Sequence, residues 1–77
     1  MEKEILFIKL DRFTSKKNKK DYFTVEYIIH DGLNYHKEFI SEDLYNKLNS
    51  KDLDNEDVYT AYFEFNNLMR ASLVDIK

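Results

Sequence analysis

Apolar and polar positions alternate along most of this chain, and only one stretch repeats them at helical spacing. From Glu4 to Thr14, Leu6, Ile8 and Leu10 alternate with Phe7, Lys9 and Asp11, the period of two expected of a half-buried strand. The alternation is clearest from Asp21 to His30. There Phe23, Val25, Tyr27 and Ile29 share one phase, and Tyr22, Thr24, Glu26, Ile28 and His30 share the other. A third strand is predicted over Leu33–Ile40, with Leu33, Tyr35, Lys37 and Phe39 on one face. Ser41 is a favoured N-cap, and Glu42 and Asp43 follow in the first turn, where the helix dipole favours acids. Leu44, Tyr45 and Leu48 then recur at helical spacing, ending near Asn49–Lys51. A fourth strand over Val58–Asn66 sets Tyr59, Ala61, Phe63 and Phe65 against Val58, Thr60, Tyr62 and Glu64. A fifth, over Leu68–Ile76, carries Met69, Ala71 and Leu73 on one phase but Val74 and Ile76 on the other. That switch predicts a β-bulge near Ser72–Val74.

The connections are punctuated differently. Ser15–Lys20 is polar throughout and reads as a hairpin loop, with Asn18 available for a positive φ. Asp31-Gly32 is a strong two-residue hairpin signal and holds the only glycine. Asp52–Asp57 is an acidic connector, and Asn66-Asn67 a tight turn. There is no proline, repeat or linker, so residues 1–77 read as one domain. The order β-β-β-α-β-β predicts a mainly β fold, a five-stranded OB-like barrel with one short helix. In such a fold the loops joining strands 1–2 and 4–5 flank the ligand surface. Here these are the lysine-rich loop and the turn leading to Arg70, with Tyr22, Ile28 and His36 expected between them.

Composition narrows the classes. A chain of 77 residues buries only about 60% of its unfolded surface, and six Tyr and six Phe supply bulk for that small core. The absence of cysteine removes disulfides and Cys-based zinc sites. The four apolar residues Ile5–Ile8 are too few for a signal peptide, and no run approaches the ~20 of a membrane span. The expected setting is the cytoplasm, without a membrane. Net charge is −3, yet it is unevenly spread. Residues 1–40 hold eight Lys/Arg against seven Asp/Glu, and residues 41–77 hold four against eight. Lys9–Lys20 alone carries six cations against Asp11, so a basic pole faces an acidic one.

The run Lys19-Lys20-Asp21-Tyr22, leading the second strand, resembles the lysine–tyrosine start of that strand in small single-stranded-DNA-binding proteins of filamentous phages and related mobile elements. The stretch Tyr59-Thr60-Ala61-Tyr62-Phe63-Glu64-Phe65-Asn66-Asn67, with the closing Leu73-Val74-Asp75-Ile76, is similar to their C-terminal hairpin. Lys19 and Asp21 stand where that family usually has glycine and proline. The resemblance implies an OB fold and stoichiometric binding of single-stranded nucleic acid, DNA before RNA, in phage or mobile-element DNA replication. Lys16, Lys17, Lys19 and Lys20 are then expected to neutralise phosphates, with Lys9, Arg12, Lys37 and Arg70 extending the track. Tyr22, and after it Phe13, Tyr35 or Tyr62, would stack on bases, giving weak sequence preference and steep salt dependence.

Each feature also has a plainer reading. Charged hairpin loops are commonly just solvated, and a tyrosine at a strand start often sits on a barrel rim. Phe23, Val25, Phe63 and Phe65 read as core, and Tyr59 as core before contact. His30 and His36 lack the partners of a metal site, and Asp52–Asp57 lacks the central glycine and closing glutamate of a calcium loop. Neither a phosphate-cradling glycine loop nor a supported Ser/His/Asp set is present, so no enzyme, cofactor or metal is expected. The competing function is a small acidic inhibitor of a host nuclease, of the anti-CRISPR type. It would act through Asp52, Asp54, Glu56, Asp57 and Glu64 by protein binding or nucleic-acid mimicry. A third reading is a structural subunit whose strand edge pairs with a partner. Ile5, Phe7 and Ile28, on the expected outward phase, would allow a homodimer.

Overall fold

The computed structural model describes every residue from Met1 to Lys77 except Asn67 and Met69. It contains β1 (Glu2–Thr14), β2 (Asp21–Ile29), β3 (Asn34–Ile40), α1 (Glu42–Asn49), β4 (Val58–Phe65) and β5 (Ala71–Ile76). All five strands join one antiparallel sheet in the order β3-β2-β1-β4-β5. The mainly β expectation with one short helix holds. The expected ring is not closed by hydrogen bonds, because β3 and β5 are both edges.

Two irregularities aim the side chains. β1 pairs with β2 in register from Ile5↔Ile29 to Phe7↔Tyr27, then resumes at Lys9↔Glu26, leaving Ile8 as an extra residue. Such a bulge inverts the phase of everything beyond it. Ile5 and Phe7 therefore point inward at 0% and 4% exposure, while Lys9, Asp11 and Phe13 lie on the opposite, outer face. This corrects the single uninterrupted phase read from the sequence, and it removes Ile5 and Phe7 as a self-association surface. The acidic connector completes the bulge: Glu56 N–H donates to the Phe7 carbonyl at 2.7 Å, and Phe7 N–H donates to the Asp57 carbonyl at 3.0 Å. The second irregularity lies where the phase switch predicted it. Tyr62 pairs with Asp75 and Phe63 with Leu73, so Val74 is the extra residue of β5.

The inner face is the core. Ile5, Phe7, Val25, Tyr27, Ala61, Phe63, Leu73 and Ile76 meet there, with Leu48 of α1 fully covered. Phe65 departs from its expected core role and is 58% exposed near the end of β4. Ser41 caps α1 as expected, its Oγ accepting from Leu44 N–H at 3.1 Å. The helix contacts β2 and β5 together, with Tyr45 4.9 Å from the ring of Phe23, so the sheet curls around the helix. On the β5 side, Asp75 receives the Lys51 ammonium, the Lys47 ammonium at 3.3 Å and the Ile76 N–H at 2.8 Å.

The hairpin turns differ from their sequence signals. Ile29 pairs with Asn34, so the β2–β3 connection is the four-residue loop His30–Leu33 rather than a two-residue Asp31-Gly32 turn. Gly32 takes φ +85°, where an added Cβ would come within 3.1 Å of the Asn34 amide nitrogen, and Leu33 follows at φ +52°. In the β1–β2 loop the positive φ belongs to Lys19, at +57°, and not to Asn18. Asn18 stabilises the loop through its side chain instead.

Ile5→Ala should cost about 3 kcal/mol in urea unfolding, and Leu6→Ala, on the half-buried outer phase, well under half of that. Equal losses would contradict the phase set by the bulge. Burial pushes the Asp75 carboxyl up, but Lys51, Ile76 N–H and Lys47 outweigh it and hold it below the usual carboxylate range. A depressed folded pKa adds stability that is complete above the unfolded value, near 4, and is lost as pH falls through the folded one. Asp75→Asn should therefore be less stable at pH 7 and show a flatter stability profile below about pH 4 than the wild type.

Candidate nucleic-acid interface

Cross-strand register decides which side chains share the outer face. Phe13 lies opposite Tyr22, Thr24 opposite both Asp11 and Phe39, and Glu26 opposite both Lys9 and Lys37. Tyr35 lies opposite Ile28. The outer surface of β1, β2 and β3 therefore carries Phe13, Tyr22 and Phe39 at one end, and Lys9, Glu26, Lys37 and Tyr35 behind them. His36 falls on the inner phase, stacked at 5.3 Å on the ring of Tyr27, and does not join Tyr22 and Ile28.

Three rings form one cluster. Phe13 stacks on Tyr22 at 5.6 Å and 23°, Tyr22 meets Phe39 edge-on at 5.9 Å, and Phe13 lies 6.4 Å from Phe39. Phe39 is 71% exposed and Phe13 43%. Such rings ordinarily bury their surface, so a solvent-facing cluster of three is the feature that sets this face apart. Sequence reasoning missed Phe39 as a site residue. Its signal was the phase it shares with Tyr35 and Lys37.

The lysine loop is tied to this cluster. Lys19 N–H donates to the Ser15 carbonyl at 2.8 Å, and Ser15 N–H donates to the Lys20 carbonyl at 2.9 Å. Asn18 accepts from Lys20 N–H at 3.1 Å and donates its amide to the Tyr22 hydroxyl at 2.8 Å. Lys16, Lys17, Lys19 and Lys20 are all exposed, and none joins an ion pair among the described residues. The remaining cations are more committed. Arg12 holds Asp21 at 3.4 Å with its guanidinium 5.9 Å over the Phe23 ring, on the inner phase. Lys9 lies 3.6 Å from Glu26, which also faces Lys37 across the strands.

Glu26 is the hub of the outer face. It is 8% exposed and accepts from the Tyr35 hydroxyl. That hydrogen bond first, then Lys9 and Lys37, lowers its pKa despite the opposing effect of burial. Reciprocally, donation to Glu26 raises the Tyr35 pKa, and burial and the carboxylate charge add to the rise. Among the described residues the second Glu26 oxygen, Oε2, has no hydrogen-bond partner and is balanced by the Lys9 charge, and the buried Thr24 hydroxyl also lacks one.

Beyond Phe39 the two sheet edges face each other across a cleft of about 300 Å³. Phe39 and Ile40 of β3, Leu44 of α1 and Leu73 of β5 form its apolar walls, and Glu38, Ser41 and Ser72 its polar ones. Ala71 lines the same cleft, so Arg70 directly precedes its wall. Tyr62 is not brought to this surface. It lies on β4 with the Lys77 ammonium 5.3 Å over its ring.

The acidic residues are placed otherwise. Asp52, Asp54, Glu56 and Asp57 are exposed, but the connector is held by β1 at Phe7, and the Asp57 carboxylate takes the Val58 N–H at 2.8 Å. Tyr59 packs edge-on to Phe7 at 6.2 Å, and its hydroxyl accepts from Asp54 N–H. Phe7 and Thr14 are seven residues apart on β1, about 23 Å, so this acidic segment and the lysine loop lie at distant points of one strand. Glu64, at the far end of β4 from the connector, does not belong with the other acids.

Comparison with protein-family models, with curated proteins and with solved structures finds no match for this chain. Among the described residues, no helix is long and apolar enough to cross a membrane.

Glu26→Gln should bring the Tyr35 pKa back down toward about 10, read by NMR titration of its ring carbons. An unchanged Tyr35 titration would show that the carboxylate is not what holds the phenol protonated.

Proposed function

We propose that this protein binds single-stranded nucleic acid, DNA before RNA, without catalysing a reaction. The observation that carries the reading is the junction of the lysine loop with the Phe13–Tyr22–Phe39 cluster, made through the Asn18–Tyr22 hydrogen bond. Phosphates of an extended strand meet Lys16, Lys17, Lys19 and Lys20, and bases stack on the exposed rings at roughly 1–3 kcal/mol each. Lys9 and Lys37 contribute less than their charge implies, because Glu26 already neutralises part of it. Tyr35 sits behind the cluster on the same face, and Arg70 borders the cleft on its other side.

The fold supports this reading. In the order β3-β2-β1-β4-β5, alternating antiparallel pairs leave β3 and β5 pointing the same way. We read the curled sheet as an OB-like barrel open along the β3–β5 seam, with the β1–β2 loop beside the binding face. The resemblance to the phage single-stranded-DNA-binding proteins points the same way, and the proposal extends with it to a role in the replication of a phage or mobile element.

The test is a fluorescence anisotropy titration of oligo-dT. With four lysines engaged, log K should fall against log salt with a slope near −3, about 50-fold between 50 and 200 mM. Replacing Lys16, Lys17, Lys19 and Lys20 with Ala should bring the slope toward zero, and Phe39→Ala should weaken binding about ten-fold with the slope unchanged. A flat titration at low salt would discard this function and put the acidic-inhibitor reading first.

A further inference from the structure

We propose that the cleft between β3 and β5 accepts one unstacked base of the bound strand and prefers guanine, with Glu38 as the reader. This inference rests on the nucleic-acid reading above and gives it a sequence preference that stacking alone does not supply.

Phe39 belongs to both surfaces: it closes the ring cluster on one side and forms a wall of the cleft on the other. A strand laid across Phe13, Tyr22 and Phe39 therefore delivers its next base to the cleft mouth. The volume, about 300 Å³, is at the small end of ligand pockets and suits one base rather than a longer segment. Leu44 and Leu73 offer apolar faces to the ring, and Ser41 and Ser72 offer hydroxyls to its edge.

Glu38 sets the choice of base. Its side chain, 36% exposed, lines the cleft with Oε1 4.0 Å from His36 Nδ1 and the Tyr27 hydroxyl nearby. A carboxylate has about four acceptor sites, so it keeps capacity for a base beside those contacts. An ionised carboxylate only accepts hydrogen bonds, and its two oxygens suit two adjacent donors. Guanine presents that pair on its Watson–Crick edge, the ring N1–H beside the exocyclic N2 amine. Thymine offers one N–H between two carbonyls, which the carboxylate repels, and adenine and cytosine set their amines beside an acceptor nitrogen. The negative charge also disfavours a phosphate in the cleft, leaving the backbone with the lysines. β3 pairs only with β2, and β5 only with β4, so among the described residues the edge backbone along the cleft retains unused donors and acceptors for the rest of the base.

The experiment compares all-dT 15-mers with 15-mers carrying one central dG, dI, dA or dC, for the wild type, Glu38→Gln and Ser72→Phe. The dG probe should bind on the order of ten-fold more tightly than all-dT. The dI probe, lacking the N2 amine, should lose most of that gain. Glu38→Gln should equalise dG and dT while leaving all-dT affinity as in the wild type. Ser72→Phe, which fills the cleft while keeping the Glu38 carboxylate, should do the same. Equal affinities for dG and dT probes, or equal gains with dA, would overturn the pocket while leaving the binding function intact. No binding to any probe would remove the function itself. Displacement of the dG probe by free GMP at comparable concentration would overturn delivery by a strand.

Discussion

One extra residue in the first strand organises this molecule. Without the bulge at Ile8, a continuous pleat would put Phe13 on the same face as Ile5 and Phe7. Either the core would lose two of its best-buried apolar groups or the outer face would lose a ring of its cluster. The bulge serves both faces, and the acidic connector holds it by both backbone groups of Phe7. The cost is one unpaired ladder position in β1, offset by the Glu56 and Asp57 hydrogen bonds.

The helix depends on a different kind of contact. At eight residues it is too short to be stable by itself. Leu48 and Leu44 bring it to the core, and Asp75 orients it by collecting Lys47 and Lys51. This ionic contact lies within the bulged part of β5, where Val74 breaks the ladder. A bulged edge strand, with the first turn of α1 set beside it, leaves β5 poorly shaped for direct pairing with β3. The cleft is the consequence, and it puts polar edge groups beside the exposed face of Phe39.

Charge on the outer face is more balanced than its lysines imply. Glu26 sits between Lys9 and Lys37, and Asp11 shares their face, so the surface beneath the rings is close to neutral. Free positive charge is concentrated in the loop of four lysines at one end of the ring cluster. On the proposed reading, attraction at a distance and contact with bases are thus divided between adjacent structures. The acidic connector's distance from that loop keeps the overall charge of −3 from cancelling the attraction locally.

Strand number, helix position, the Ser41 cap and the β5 bulge were legible in the sequence, because each depends on neighbours within a few residues. Alternation, a capping hydroxyl and a phase switch between Leu73 and Ile76 are local signals. The β1 bulge left no such mark. Ile5 to Leu10 are nearly all apolar, so either phase fits, and only contact with the connector some fifty residues later selects one. Gly32 marked a turn but not its length, which the Ile29–Asn34 pairing decides. The lysine loop was visible as a run of charge. Its attachment to Tyr22, the capture of Lys9 by Glu26 and the arrival of Phe39 beside Phe13 were not, because they join three strands. Local backbone preference and periodicity are written residue by residue. Which side chains finally share a surface is decided by register, and register is set by the whole sheet.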